Sequence, residues 1–156
     1  MAILPILQHP HAILRAKCGH VRDFGPDLRR LAQDMFDTMY AAPGRGLAAP
    51  QVGVAQRIFV TDTTWKDGTP LPQVFVNPVI IAATDTWQKF DESCLSILGV
   101  TVSLQRPETV QMHWQDLDGN WQRGSFSGIA AVCVQHERDH LDGILCIDYP
   151  SAPVTA

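Results

Sequence analysis

The chain has 156 residues, 46% of them apolar and 18% charged, with a formal net charge of −4. That length suits one domain with its own core, residues 1–156, and leaves no room for two. An acidic balance with no basic run argues against a nucleic-acid partner, and no apolar run approaches the roughly 20 residues that span a bilayer.

The start, Met1 to Leu7, is apolar but short, lacks a charged leading segment and carries Pro5, which does not make an export signal. The four cysteines, Cys18, Cys94, Cys133 and Cys146, are irregularly spaced. Without export they read as free thiols or metal ligands, and the expected location is a reducing, cytoplasmic compartment.

Asp23 to Pro26 opens a helix, with Pro26 suited to its first turn. Leu28, Leu31, Met35 and Met39 recur at spacings of three and four, giving an amphipathic helix to about Tyr40. Pro43, Gly44 and Gly46 end it and begin a loop. Residues 57–62 and 73–81 are rich in Val, Ile and Phe and read as strands. Residues 109–116 alternate, with Val110, Met112 and Trp114 on one side. The turn Asp118-Gly119-Asn120 then returns into a strand over 121–126, a hairpin. Residues 128–141 form a second helix, with Gly143 as its stop.

The second helix carries the run Gln135-His136-Glu137-Arg138-Asp139-His140. Side chains four apart stack on one helical face, so both imidazoles can hold one metal ion while Glu137 handles the proton of a bound water. The expected fold is therefore α+β, with antiparallel strands packed around a central metal-binding helix that carries H-E-x-x-H.

A catalytic site of this kind takes three protein ligands and keeps a position for water. Only sixteen residues follow His140, so the third ligand is sought upstream. Cys133 lies one turn before His136, within about 60° of its face, while Cys94 comes from the loop segment Glu92-Ser93-Cys94-Leu95-Ser96. Ligands from separate elements give better tetrahedral geometry than three in one helical row. Cys94 is preferred on that ground, leaving Cys133 as the competing ligand or as buried packing beneath the site.

Gly44-Arg45-Gly46-Leu47-Ala48-Ala49-Pro50-Gln51, Glu92-Ser93-Cys94-Leu95-Ser96 and Gln135-His136-Glu137-Arg138-Asp139-His140 together resemble the three ordered motifs of peptide deformylases. Asn77-Pro78 and the segment from Asp34 to Tyr40 also resemble family surroundings, so the likeness covers nearly the whole chain. The resemblance implies that Cys94, His136 and His140 ligate the metal and that Glu137 is general base and then acid. It implies that Gln51 and the backbone N–H of Leu95 face the developing oxyanion, and that the substrate peptide lies along Gly46. The implied reaction removes the N-terminal formyl group from formyl-methionyl peptides or nascent chains and releases formate. The implied metal is Fe(II), with Zn(II), Ni(II) or Co(II) as substitutes.

Several positions depart from the family pattern. Arg45 and Arg138 fill positions that are usually apolar, and Ser93 replaces a glycine. At Arg45 the cation either meets a substrate carboxylate or snorkels into solvent; Arg138 is expected on the exposed side of its helix. The stretch from Ile97 to Val102 lacks the basic residue that grips the peptide in many relatives, and Arg106 is the nearest substitute. Ile129 and Val132 are candidate walls of the side-chain pocket, and Asp139 is expected to orient the helix or a nearby basic group. Two alternatives remain: a paralogue acting on another N-formyl or short N-acyl amine, and a closed, non-catalytic metal module using Cys94, Cys133, His136 and His140.

Overall fold

Alternation in the central strands decides the architecture of the computed structural model, which describes residues 2–150 and 153–154. Strand β1 (Gly46–Ala48) pairs with β2 (Ile58–Thr61), β2 with β3 (Gln73–Ala83), β3 with β6 (Thr109–Gln115) and β6 with β7 (Trp121–Ser127), all antiparallel. Within β2, Ile58 and Val60 point to one face and Phe59 to the other, because successive side chains alternate. Both faces are covered, so all four residues of β2 are buried and its sequence is a continuous apolar run.

One face receives helix α1 (Pro26–Ala41), whose Leu28, Ala32, Met35 and Met39 join Leu47, Ile58, Val60 and Val76 in a core cluster. Pro26 occupies the first helical turn, where its missing N–H is not needed. The other face receives helix α2 (Ile129–Leu141), whose Ala131, Val134 and Leu141 pack on Phe59, Phe75, Met112 and Phe126. Phe75 anchors this cluster, with its ring centroid 4.7 Å from Phe59 and 4.8 Å from Trp114. Helix α2 ends as expected at Gly143, whose φ of 73° and near-contact with the Arg15 carbonyl (2.5 Å from an added Cβ) leave no place for a side chain.

A second sheet, absent from the sequence reading, is built on strand β4 (Trp87–Cys94), which pairs with β5 (Ile97–Pro107), and β5 in turn with the short β8 (Pro153–Val154). Two expectations are corrected here. Glu92, Ser93 and Cys94 are the end of a strand, with only Leu95 and Ser96 in the turn, and Gly46 begins β1 instead of lying in a loop. Pairing supplies what composition does not: β4 is largely polar and half of it faces outward, so no apolar run marks it. In β3, Asn77 adopts φ 49° at a bulge, and its side chain bonds the Val21 backbone in both directions at 2.9 and 3.0 Å.

Candidate metal centre

The two sheets and α2 converge on three side chains. His136 and His140 lie one helical turn apart with ring centroids 5.1 Å apart, and Cys94 approaches from the end of β4. The thiol sulfur and the two imidazole nitrogens lie within 4.8 Å of one another, and all three residues are buried. The Cys94 Sγ to His140 Nε2 distance is 3.4 Å, matching the separation of about 3.4–3.6 Å expected between thiolate and imidazole ligands on one tetrahedral ion. A soft thiolate with two imidazoles suits a divalent transition metal, so these residues fit one. Cys133 is outside this set. It is half-buried and lines the cavity, a correction to the expectation that it packs beneath the site.

A buried charged network fixes the orientation of His136. Its Nδ1 lies 2.9 Å from Glu92 Oε1, which leaves Nε2 for a metal. Arg106 donates to both Glu92 oxygens, at 2.5 and 2.9 Å, and to Asp139 at 3.0 Å, and the Tyr149 hydroxyl donates to Asp139 at 2.6 Å. Arg106 is thus enclosed and engaged, so it does not replace the missing peptide-gripping cation. Asp139 does orient a basic group, as expected. Glu92, Arg106 and Tyr149 were not assigned this role from sequence. The available signal was Arg106 itself, on the inward face of β5 with Val102 and Leu104, where a charge demands a buried partner.

Burial would raise the Glu92 carboxyl, but the hydrogen bonds from His136 and Arg106 outweigh it and hold the pKa below the usual value. Burial would lower His136, yet the charge of Glu137 and the bonds to Cys94 and Glu92 raise it well above an ordinary histidine. His140 is lowered well below that value by burial and then by the charge of His136. A metal ion at His136 Nε2 would therefore compete with a proton.

Glu137 is buried beside the cluster, and its Oε1 has no hydrogen-bond partner among the described residues. Burial pushes its carboxyl up to about 7. Gln51 sits in the 3₁₀ turn Ala49–Val52 after β1. Its Oε1 accepts from the Ala48 N–H at 3.0 Å, which turns Nε2 toward Ser96 Oγ at 3.0 Å and Cys94 Sγ at 3.7 Å.

A cavity of about 460 Å³ opens onto His136, Glu137, Cys94 and Gln51. Gly46, Arg45, Leu95, Ile129 and Val132 all line it, as does Cys133. Phe90 and Lys66 line it too, unmarked in the sequence, as do Leu98 and Gly99 at the start of β5. Arg138, expected to be exposed, is half-buried on α2, with Nε enclosed and NH1 3.8 Å from Asp142.

Paired histidines, a thiol from a second element, a buried carboxylate and a cavity define a metal-dependent hydrolase site. Comparison with known proteins agrees: the family model described as polypeptide deformylase matches residues 3–154. A peptide deformylase from Zymomonas mobilis is 44% identical over 155 residues, covering 97% of this chain and 88% of its own. One from Maricaulis maris is 45% identical over 151 residues, covering 97% and 87%. The crystal structure of peptide deformylase from Thermotoga maritima has a TM-score of 0.91 at 34% identity and covers 97% of this chain and 100% of its own. That of the Synechococcus elongatus enzyme in complex with actinonin has a TM-score of 0.90 at 37% identity, covering 95% and 80%. The chain belongs to the peptide deformylase family, whose members are metal-dependent hydrolases that remove the formyl group from nascent peptides. No helix among the described residues is long and apolar enough to cross a membrane.

Proposed function

We propose that this chain hydrolyses the N-formyl group of formyl-methionyl peptides in the cytoplasm, with Cys94, His136 and His140 holding one divalent ion, Fe(II) in the cell. The observation that carries this reading is the convergence of those three donors with Glu137 and the oriented Gln51 amide at one cavity. Zn(II), Ni(II) and Co(II) fit the same donor set. When bound, the ion supplies Lewis acidity and brings a water toward ionisation near neutral pH.

The chain's own groups account for the other steps. Glu137 takes a proton from the attacking water and passes it to the leaving amine, from a carboxyl whose own bonding leaves Oε1 unengaged. Gln51 Nε2, turned inward because Ala48 holds its Oε1, donates to the developing oxyanion together with the Leu95 N–H. Donors in such positions each contribute about 2.7–4 kcal/mol in acyl-transfer enzymes. The peptide lies along Gly46, and Ile129 and Val132 wall the pocket for its first side chain.

The test is formate release from a formyl-Met tripeptide by protein purified anaerobically with iron or nickel, beside a panel of other N-formyl and N-acetyl amines. Rapid release from the formyl-Met peptide is expected. If that peptide is the poorest substrate of the panel, the chain serves another acylated amine.

A further inference from the structure

Most arginines of the fold are paired: Arg15, Arg29, Arg30, Arg57, Arg106 and Arg138 each lie within ion-pair distance of a carboxylate. Arg45 has no such partner among the described residues, although it lines the cavity and its Nε is enclosed without an acceptor. Leaving such a donor unpaired costs about 1–3 kcal/mol, which makes its position at a cavity wall informative.

The backbone around Arg45 is fixed. The Gly44 carbonyl accepts from Trp65 Nε1 at 2.9 Å, and the Arg45 carbonyl accepts from the Asp62 N–H at 2.9 Å. The side chain therefore starts from a rigid point, one residue from Gly46 and its contact with Glu137. Cys133, one turn before His136 on α2, lines the same cavity as Arg45. Burial and Glu137 raise that thiol to about 12, against the opposing effect of His136 and Arg45. Arg45 itself is half-buried, and Nε is its enclosed atom.

Lys66 is the other Lys or Arg lining the cavity among the described residues. It is exposed, with Nζ 5.7 Å from the Trp65 ring centroid. The carboxylates that share the wall leave these cations unanswered. Glu92 is held by Arg106 and His136, Glu137 lies against Gly46, and Asp91 is exposed and forms no ion pair with either.

We infer that Arg45, backed by Lys66, is a specificity-determining residue that selects N-formylated substrates carrying a carboxylate. This rests on the deformylase reading above and deepens it by naming the substrate class. The carboxylate comes from an Asp or Glu side chain near the formylated end or from the free C-terminus of a short peptide. A planar guanidinium takes it in a bidentate pair, and the gain falls on binding, hence on KM more than kcat.

The test compares formyl-Met-Asp-Ser with formyl-Met-Asn-Ser, formyl-Glu-Ala-Ser with formyl-Gln-Ala-Ser, and formyl-Met-Ala with its C-terminal amide. In at least one pair the acidic member is expected to show kcat/KM about tenfold higher, a difference that shrinks as salt rises. Which pair responds identifies the source of the carboxylate. R45M collapses the ratio, R45K keeps part of it, and R29A, which removes a distant surface charge, leaves it intact. Equal turnover in all three pairs, or the same ratio in R45M as in the wild type, overturns the inference. Calorimetric binding of the same pairs to the metal-loaded protein needs no turnover. It decides the matter even if no formate is released, an outcome that would sink the deformylase reading alone.

Discussion

Gly46 and Glu137 are packed so closely that a Cβ added to Gly46 would lie 2.7 Å from Glu137 Oε2 and 3.0 Å from its Cδ and Cγ. Strand β1 and helix α2 thus meet at a point where one residue must be glycine for the carboxylate to stand where it does. In G46A the carboxylate is displaced, and because small misplacements cost heavily in such sites, kcat/KM is expected to fall at least about tenfold. Metal content, measured by elemental analysis, stays near one per chain. Full activity in this variant would mean that the close approach is incidental.

Glu137→Gln keeps the shape of the side chain but cannot accept a proton. Formate release is expected to fall by about 10²–10⁴-fold with the metal retained. Substantial residual turnover would remove Glu137 from its assigned role.

Glu92 answers both His136 and Arg106, so Glu92→Gln leaves one buried cation short of an anion and loosens the tautomer of a metal ligand. Outer partners of this kind contribute about 10–100-fold in metal affinity. Competition with a chromophoric chelator measures the loss. An unchanged affinity would limit Glu92 to a folding role.

The sulfur count of the site separates the catalytic reading from a closed structural one. Cobalt-substituted wild type and C133S are expected to share one thiolate-to-metal absorption band, and C94S is expected to lose it. A weakened band in C133S would bring that thiol into the coordination shell and overturn the open-site description.

Arg15 donates to both oxygens of Asp148, at 2.5 and 3.0 Å, and that bond holds the Asp148 carboxyl below its ordinary value. A depressed folded pKa stabilises the fold above the unfolded value of about 3.9 and loses that contribution as pH falls through the lower folded value. The midpoint of thermal unfolding should therefore fall less steeply below about pH 4 in D148N than in the wild type. Parallel curves would show that the pair does not couple folding to protons.

Sequence periodicity was sufficient for α1 and the β6–β7 hairpin, because each buries one face and exposes the other, whereas α2 is enclosed on nearly all sides and was marked by its histidine motif and Gly143. It failed at β4 and β5, where Lys89, Asp91 and Gln105 face outward and the pairing partner, not the residues themselves, makes the strand. At the site, residues that would touch metal or substrate were legible from the spacing of His136 and His140 and the three motifs. Of the groups behind them, only Asp139 was legible. Glu92, Arg106, Asp139 and Tyr149 come from four segments of chain, and only the fold shows that one guanidinium joins them.

Cys94 belongs to the β4–β5 sheet, and His136 and His140 ride on a helix seated against the other sheet. An ion held among them is therefore a clasp between two layers, and its occupancy is tied to how firmly the hairpin docks. At a free concentration a thousand times its dissociation constant, a ligand of the folded state adds about 4.1 kcal/mol of stability. Chelation withdraws that contribution and leaves the Glu92–Arg106–Asp139 bridge to hold the layers together. The same ion that would equip the chain for hydrolysis would then also govern how readily a protease finds the β4–β5 arm.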